Sequence, residues 1–402
     1  MIKNKIKGLL TLVILSGVLA CNSIPMKSTT KKNTYSKHNA HWLAGSWGIT
    51  QRVDGGYKLD KTANSSNWVA GAKQIVKNLP STGHVITSFT HPAHAYLFTL
   101  RDNNNVDVAA IHPDMVPSIE NEKIILDVIN VYRRAGKKVI LYLNAAGPSM
   151  ILDTDPDNEL AIKKAWEEYY NTQWNGDEGA AWRDLVLGYA QRFNGLVDGY
   201  WLDNANKLPG EVSDFVAMLR SVDPTLAITV NKTKTYFKDN NDNFIYVDSD
   251  GINDENERDY KVIKYAATNE FEDFTSGHIT PLGRGAPPNS WAYEEYTIPD
   301  MVNAPWDNFE GKNDVLKHAW FPIRARWSVA RASLIFEIEQ AYRFTRKITD
   351  AGAGITWSTT QKNGYMSADE MKIMRKIEKR VNKNQDYEAY KRPKGAYLLK
   401  NN

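Results

Sequence analysis

The acidic residue with the clearest chemical potential is Asp203, which directly follows the apolar run Leu196–Leu202. An aspartate at the end of a buried strand is partly shielded from water and lies where a ligand can reach it. Such a carboxylate can act as the nucleophile of a retaining glycosidase if a second carboxyl, serving as acid and then base, lies about 5 Å away. A structural role, as a helix cap or a lysine partner, is the alternative interpretation.

Other polar side chains also follow apolar runs, and their types suit a neutral ligand rich in hydroxyl groups. The candidate binding residues at these run ends are His91, His94, Asn144, Trp201 and Asn231. Amides and imidazoles hydrogen-bond hydroxyls, and an indole offers a flat apolar face to a sugar ring. Metal binding by His91 and His94 is an alternative, although no third ligand stands at a recognisable spacing.

The elements that must position these residues alternate between short apolar runs and amphipathic stretches. The predicted strands are Ser46–Thr50, His84–Phe89, Lys138–Leu143, Leu196–Leu202 and Leu226–Val230. The predicted helices between them are Asn67–Leu79, Glu122–Arg134, Ala181–Phe193 and Glu211–Val222. This alternation indicates parallel βαβ units. We therefore predict an α/β fold, a (β/α)8 TIM-like barrel with long loops on the C-terminal face.

The second half of the chain must supply the second carboxyl. Predicted elements there are a strand at Lys264–Phe271, a strand at Gly354–Trp357, and helices at Ser328–Ile348 and Ser367–Val381, with long loops over Gly277–Lys317. Glu270 is the first choice for the acid/base because it lies near the end of a predicted strand. The alternatives are Glu272, which would face the same side of that strand, Glu294 and Glu310.

The composition narrows the functional classes. Without the three lysines of residues 1–20, the chain carries equal numbers of basic and acidic residues, so no basic field favours nucleic acid. No glycine-rich nucleotide motif follows a predicted strand, and the single cysteine, Cys21, excludes an intramolecular disulfide and a zinc–thiolate site. We expect no cofactor and no metal. The acidic stretch Asp248–Glu257 is either a solvated loop or, less well matched, a calcium loop.

The N-terminus has the pattern of a bacterial export signal. Residues 1–20 combine a basic start with a short apolar run, and Val18-Leu19-Ala20-Cys21 resembles a lipobox. We expect a signal peptide over residues 1–20, a lipidated flexible tether over 21–40, and a catalytic domain over 41–390. Lipid on Cys21 would anchor the protein in the bacterial cell envelope, at the outer membrane or cell surface. A simple cleaved signal with an incidental cysteine is the alternative.

An ordered set of segments resembles the α-L-fucosidase clan, glycoside hydrolase family 29 and its fucan-degrading relatives. The segments are Ser46-Trp47-Gly48, Asn67-Trp68, Ala72-Lys73, His91-Pro92-Ala93-His94, Arg134–Lys138 with Tyr142, Asp198–Asp203, Thr229-Val230-Asn231, Ala351–Trp357 and Ser367–Lys379. The last Asp of the clan's strand-four segment is its nucleophile, which implies that role for Asp203. The resemblance also adds Trp47 to the candidate substrate-binding residues.

Departures from the clan pattern favour an endo-acting enzyme. Pro92 and Ala93 separate the two histidines, and Lys232 follows Asn231. The chain is most similar in this respect to family 168, whose members cut α-1,3 links in sulfated fucan. The resemblance implies a retaining hydrolase of α-L-fucosidic links, with loop residues Arg284, Lys312 and Arg324 available to meet sulfates. An exo-acting α-L-fucosidase and a non-catalytic sugar-binding lipoprotein are the alternatives.

Overall fold

The structure is a computed structural model, and it describes residues 39–53, 65–91, 94–231, 234–238, 244–248, 262–278, 293–311, 314–324, 327 and 331–391. Cys21, Arg284 and Lys312 lie outside these residues. The stretch 239–257, which contains the candidate calcium loop, also lies outside them, except for residues 244–248.

A seven-stranded parallel sheet forms the centre of the fold. In chain order the strands of the described residues are β1 (Trp47–Gln51), β2 (His84–Ser88), β3 (Lys138–Asn144), β4 (Gly199–Asp203), β5 (Ala227–Val230), β6 (Lys234–Lys238), β7 (Phe244–Asp248), β8 (Val262–Lys264), β9 (Trp306–Asn308), β10 (Asp314–Leu316), β11 (His318–Pro322), β12 (Gly354–Ser358), β13 (Gln361–Lys362) and β14 (Tyr365–Met366). The central sheet has the order β11-β12-β1-β2-β3-β4-β5. Smaller antiparallel sheets pair β6 with β7 and β8, β9 with β10, and β13 with β14.

Helices lie between the strands of the central sheet, as parallel pairing requires, and a last helix follows the final strand. They are α1 (Ser65–Asn78), α2 (Val108–Ile111), α3 (Ile124–Arg134), α4 (Asp157–Gln173), α5 (Glu178–Phe193), α6 (Val212–Val222), α7 (Ile298–Asn303), α8 (Ile338–Asp350) and α9 (Ala368–Asn382). Gly136 adopts φ +72° just beyond α3, a conformation that glycine takes without strain and that ends the helix before β3 begins. Among the described residues, no helix is both long and apolar enough to cross a membrane.

The two faces of the sheet belong to two different cores, because side chains alternate along each strand. On β3, Val139, Leu141 and Leu143 pack in the main cluster with the surrounding helices. The intervening residues Ile140 and Tyr142 join a second cluster, which the sheet curls around. This inner cluster includes Ile86, Ile140, Tyr142, Trp201, Ala227, Phe274, Leu316 and Trp320.

An irregular extended segment, 273–278, lies between the two edge strands of the sheet. On one side the Asp273 N–H donates to the Ile228 carbonyl of β5 at 2.8 Å, and on the other the Trp320 N–H of β11 donates to the Gly277 carbonyl at 3.1 Å. The described residues thus form a curled, parallel α/β sheet that is compatible with the TIM-like barrel. The complete (β/α)8 barrel stays a prediction.

Two expected elements of the second half are wrong. Residues 265–271 form no strand, because the Asn269 side chain accepts a hydrogen bond from the Phe271 N–H at 2.9 Å and closes a turn. The helix expected over Ser328–Ile348 begins at Ile338. Before it, the Ile335 N–H donates to the Ile323 carbonyl at 3.1 Å, so tertiary pairing replaces helix there.

Candidate active site

Asp203 ends β4 at the C-terminal edge of the curled sheet, as the sequence predicts. The four preceding residues of the strand are buried, and Asp203 itself is half-buried. Gly199 allows β4 and β5 to approach, since a Cβ at this position would lie 2.4 Å from the Ala227 carbonyl oxygen. The strand register places Asn144 of β3 directly beside Asp203.

Three donors hold the Asp203 carboxylate. Tyr142 donates its hydroxyl to Oδ2, while Oδ1 accepts the Asn231 amide at 2.9 Å and the Asn204 N–H at 3.0 Å. Burial raises the pKa of Tyr142 well above its ordinary value, and the adjacent Asp203 charge raises it further, so the phenol keeps its proton. Asn204 adopts φ +50°, a strained conformation often found at functional sites. The carboxylate is therefore fixed in one orientation.

Arg52 supplies positive charge to this site. Its Nη2 donates to Ser358 Oγ at 3.2 Å, and its guanidinium lies 5.8 Å from the centroid of Trp320 and 6.0 Å from that of Trp327. Burial lowers the pKa of Arg52, and Tyr142 and Asp203 oppose that effect. An arginine retains its proton under such conditions, so Arg52 stabilises negative charge around Asp203.

His278 is a functional candidate that sequence reasoning missed. Its ring stacks on Trp327 with centroids 4.6 Å apart and lies 5.9 Å from Trp201. Burial lowers the pKa of His278, the charge of Asp203 raises it, and Arg52 lowers it. The imidazole therefore interacts electrostatically with both Asp203 and Arg52. Its position at the end of an irregular segment, rather than of an apolar run, gave no signal in the sequence.

The two predicted histidines lie together after β2, with ring centroids 5.1 Å apart. His94 Nδ1 is 2.9 Å from the Tyr96 hydroxyl, which donates to Glu159. Burial, with His94 and Arg52, lowers the pKa of His91 to about 3, so His91 is neutral near pH 7 and suited to hydrogen bonding. Within the described residues no group of three or more His, Cys, Asp or Glu side chains could hold a metal ion.

The predicted asparagines reach the site, whereas the two tryptophans are core residues. Asn231 binds Asp203, and Asn144 Oδ1 accepts the Asn204 amide at 3.1 Å. Trp201 is fully buried, stacked on Tyr142 at 5.4 Å, with its indole N–H bound to the Ser276 carbonyl at 3.0 Å. Trp201 therefore holds Tyr142, the donor to Asp203, in place, and its ring offers no face to a ligand.

Trp47 lies at the other end of its strand from this site. It begins β1, is 3% exposed, and donates its indole N–H to Ser81 Oγ at 3.0 Å. This placement corrects the expectation that Trp47 binds substrate. The side chain packs in the main core, where truncating a tryptophan to alanine costs about 3–5 kcal/mol of stability.

The glutamates considered as the second carboxyl occupy different environments. Glu270 lies half-buried in the turn before the segment 273–278, so it does not end a strand. Glu272 is buried, and its carboxylate accepts the Thr268 N–H at 2.7 Å; burial raises its pKa to about 7. Glu294 is bound by Arg343 at 2.6 Å and Lys347 at 3.3 Å, which is a structural ion pair. Glu310 is exposed in a turn.

The Asp203 carboxylate is fixed at the C-terminal edge of a curled parallel sheet, beside histidines, amides and an arginine. This arrangement is typical of a glycoside hydrolase active site. The family model described as "endo-alpha(1,4)-fucoidanase Mef1" matches residues 37–402. The chain belongs to this family of endo-α(1,4)-fucoidanases.

One solved structure agrees with this assignment, and a second shares the fold. The endo-fucoidan hydrolase P5AFcnA from glycoside hydrolase family 107 is 66% identical, with a TM-score of 0.81, over 90% of this chain and 98% of that chain. MfFcnA4, from the same family, shares the fold at 15% identity and a TM-score of 0.66, over 88% of this chain and 55% of that one. No curated protein matches the chain. The relatives are thus from family 107, and the expected proximity to family 168 is not confirmed.

Proposed function

We propose that this protein hydrolyses α-L-fucosidic linkages inside sulfated fucan chains. One observation carries the proposal: Asp203, at the C-terminal end of β4, is oriented by Tyr142, Asn204 and Asn231 in a chain of the endo-fucoidanase family. The names of the family and of its 66% identical relative support fucoidan as the substrate and an endo mode of cleavage.

The chemistry we propose is a double displacement with Asp203 as the nucleophile. A carboxylate oxygen of Asp203 attacks the anomeric carbon of a fucosyl unit, the bond from that carbon to the glycosidic oxygen breaks, and the acid donates a proton to the departing oxygen. The base then takes a proton from water, whose oxygen attacks the anomeric carbon and releases the sugar from Asp203. Two inversions give net retention of anomeric configuration.

The acid/base has two candidates, the predicted Glu270 and His278. The position of His278 favours the histidine, because its ring lies 5.9 Å from that of Trp201, which stacks on Tyr142, the donor to Asp203. Burial lowers the pKa of His278, but while Asp203 is ionised its charge opposes that effect and favours the protonated imidazole, which can act as an acid. Formation of the ester removes that charge, so the imidazole loses its proton more readily and can act as a base. Glu270 remains the alternative from the sequence.

We propose that the enzyme cuts α-1,4 links, which the family description supports. The alternative is cleavage of α-1,3 links, which the resemblance to family 168 implies. We further propose that the complete barrel and a distant relation to the α-L-fucosidase clan underlie this chemistry. Lipid on Cys21, in the bacterial cell envelope, would keep the enzyme near polymer outside the cell.

Digestion of sulfated fucan tests the function. We expect a ladder of oligosaccharides early in the reaction, with NMR of the new reducing ends reporting the linkage that was cut. The Asp203→Asn variant should give no products while still binding oligosaccharide. Release of single fucose units only would indicate an exo-fucosidase, and binding without products from the unmodified protein would indicate a sugar-binding lipoprotein.

A further inference from the structure

A cavity of about 850 Å³ lies beside the hairpin of β13 and β14 and the start of α9. Its lining includes Arg324, Arg331, Lys362, Tyr365 and Asp369. Three cations against one carboxylate leave this surface positively charged. Nothing in the proposed chemistry at Asp203 uses these residues.

The cations are not equivalent. Arg324 is committed to the fold, because its Nη2 donates to both Asp369 oxygens at 2.6 and 2.7 Å and its Nε donates to the buried Glu370. Arg331 and Lys362 are exposed, and within the described part of the chain neither forms an ion pair. Their charges are therefore available to a ligand.

The cavity wall is preformed. Asn363 and Gly364 form the hairpin turn with φ of +52° and +81°, the conformation that Asn-Gly favours between two strands. The Gly364 carbonyl accepts the Gln51 amide at 3.2 Å, and a Cβ at Gly364 would lie 2.6 Å from the Asn67 backbone. The hairpin is thus fixed against β1 and α1, and it presents Lys362 and the half-exposed ring of Tyr365 side by side.

Arg52 joins this cavity to the Asp203 site. Its backbone N–H donates to Gln361 Oε1 at 3.0 Å, next to Lys362, while its side chain binds Ser358. The hairpin follows the C-terminal end of β12, and Asp203 forms the C-terminal end of β4 in the same parallel sheet. The cavity and the carboxylate therefore lie at the same edge of the sheet, as two subsites of one cleft require.

We infer that the cavity is an outer subsite in which Arg331 and Lys362 bind a sulfate ester of the fucan chain. A sulfate presents oxygens to two cationic donors, and charge-assisted hydrogen bonds of this kind are stronger than neutral ones. Tyr365 offers an apolar face for the sugar ring that carries the ester. This inference rests on the proposed function and names the substrate group that one part of the cleft recognises.

Binding and turnover of matched oligosaccharides test the inference. The variants are Arg331→Gln, Lys362→Gln and the two combined, in the full-length protein. Arg375→Gln and Lys376→Gln are the controls, since these exposed cations lie on α9 outside the cavity lining. Calorimetric titration with sulfated and chemically desulfated fucan oligosaccharides of equal length is done in the Asp203→Asn background, and kinetics in the active background.

We expect the double variant to bind the sulfated oligosaccharide about tenfold more weakly at low salt, since each exposed charge contributes roughly two- to fivefold. KM on sulfated fucan should rise with kcat nearly unchanged, and the difference should shrink as salt rises. Affinity for the desulfated oligosaccharide should not change. An equal loss in the controls, an equal loss on the desulfated ligand, or no loss overturns the subsite.

The two proposals fail separately. Absence of products from the unmodified protein on fucan contradicts the proposed function, whereas unchanged discrimination between sulfated and desulfated ligands contradicts the subsite alone. The same titration is also done with inorganic sulfate alone. If it binds as tightly as the sulfated oligosaccharide, the cavity is a free-anion site and the sulfate-ester assignment is wrong.

Discussion

Tyr142 donates its hydroxyl to Oδ2 of Asp203 across the β3–β4 strand pair. The tyrosine also stacks on Trp201, whose indole is anchored to the Ser276 carbonyl, so the donor is fixed by the inner core of the sheet. The packing inside the curled sheet and the orientation of the carboxylate are thus parts of one arrangement.

Replacing Tyr142 with phenylalanine keeps the stacked ring and removes the donor. We expect kcat on fucan to fall about 10- to 100-fold, because the carboxylate loses a positioned hydrogen bond worth about 1.5–3 kcal/mol. Initial-rate measurements on sulfated fucan check this. Tyr132→Phe is the control, since Tyr132 is also buried and donates to Gln51 Oε1 at 2.6 Å, away from Asp203. Equal losses in both variants would show that the effect is structural.

The choice between His278 and Glu270 is open to measurement through the pH profile. If His278 is the acid, kcat/KM falls as pH rises and the imidazole loses its proton. His278→Gln should lower the rate by about 10²–10⁴-fold and abolish this alkaline limb, whereas Glu270→Gln should retain it. Added azide should restore some turnover in the variant that lacks the base. Rescue of Glu270→Gln, and not of His278→Gln, would identify Glu270 as the acid/base.

Two fully buried histidines should make the fold sensitive to acid. His84 and His318 both bind Thr356 Oγ1, at 2.7 and 2.8 Å, and burial lowers the pKa of both, to about 3 for His318. A histidine whose pKa is lower in the folded state stabilises the fold above pH 6.5. That contribution is lost as pH falls from 6.5 towards 3, because the unfolded chain takes up the proton first.

Urea unfolding at pH 7.5, 6.0 and 5.0 measures this loss. Each neutral buried histidine contributes a slope of up to about 1.4 kcal/mol per pH unit below pH 6. His318→Gln should reduce the slope by nearly one such contribution, and the exposed His41→Gln should leave it unchanged. An identical pH dependence in His318→Gln and the unmodified protein would contradict the assignment.

Cys21 lies outside the described residues, and its lipidation is tested by fractionation. We expect the unmodified protein in the detergent phase and Cys21→Ser in the aqueous phase, with equal activity, because a diacylated cysteine adds a large apolar surface. Soluble unmodified protein cleaved at another position would contradict the anchor.

The predictable part of the fold consists of strands with continuous apolar runs. Lys138–Asn144 and Ala227–Val230 are buried on both faces, so their composition identifies them. β11 was missed because His318 and Pro322 interrupt its apolar run, and α4 was missed because only Ile162 and Trp166 of its seventeen residues are buried.

The predictable part of the site follows the same rule. Asp203, Asn144 and Asn231 end regular strands, and the structure brings all three together. His278 and Arg331 come from irregular segments whose positions depend on tertiary hydrogen bonds, such as that between the Gly277 carbonyl and the Trp320 N–H at 3.1 Å. Local sequence carries no information about such long-range contacts.

In the mechanism we propose, Asp203 forms a covalent bond to the fucosyl unit during hydrolysis. Peptide mass spectrometry detects this bond after the His278→Gln and Glu270→Gln variants react with a 2-fluorinated sulfated oligofucoside that has a good leaving group. We expect an adduct of one oligofucosyl unit on the peptide that contains Asp203, and none in Asp203→Asn. An adduct on another carboxylate, or inverted product configuration with no adduct, would show that Asp203 is not the nucleophile.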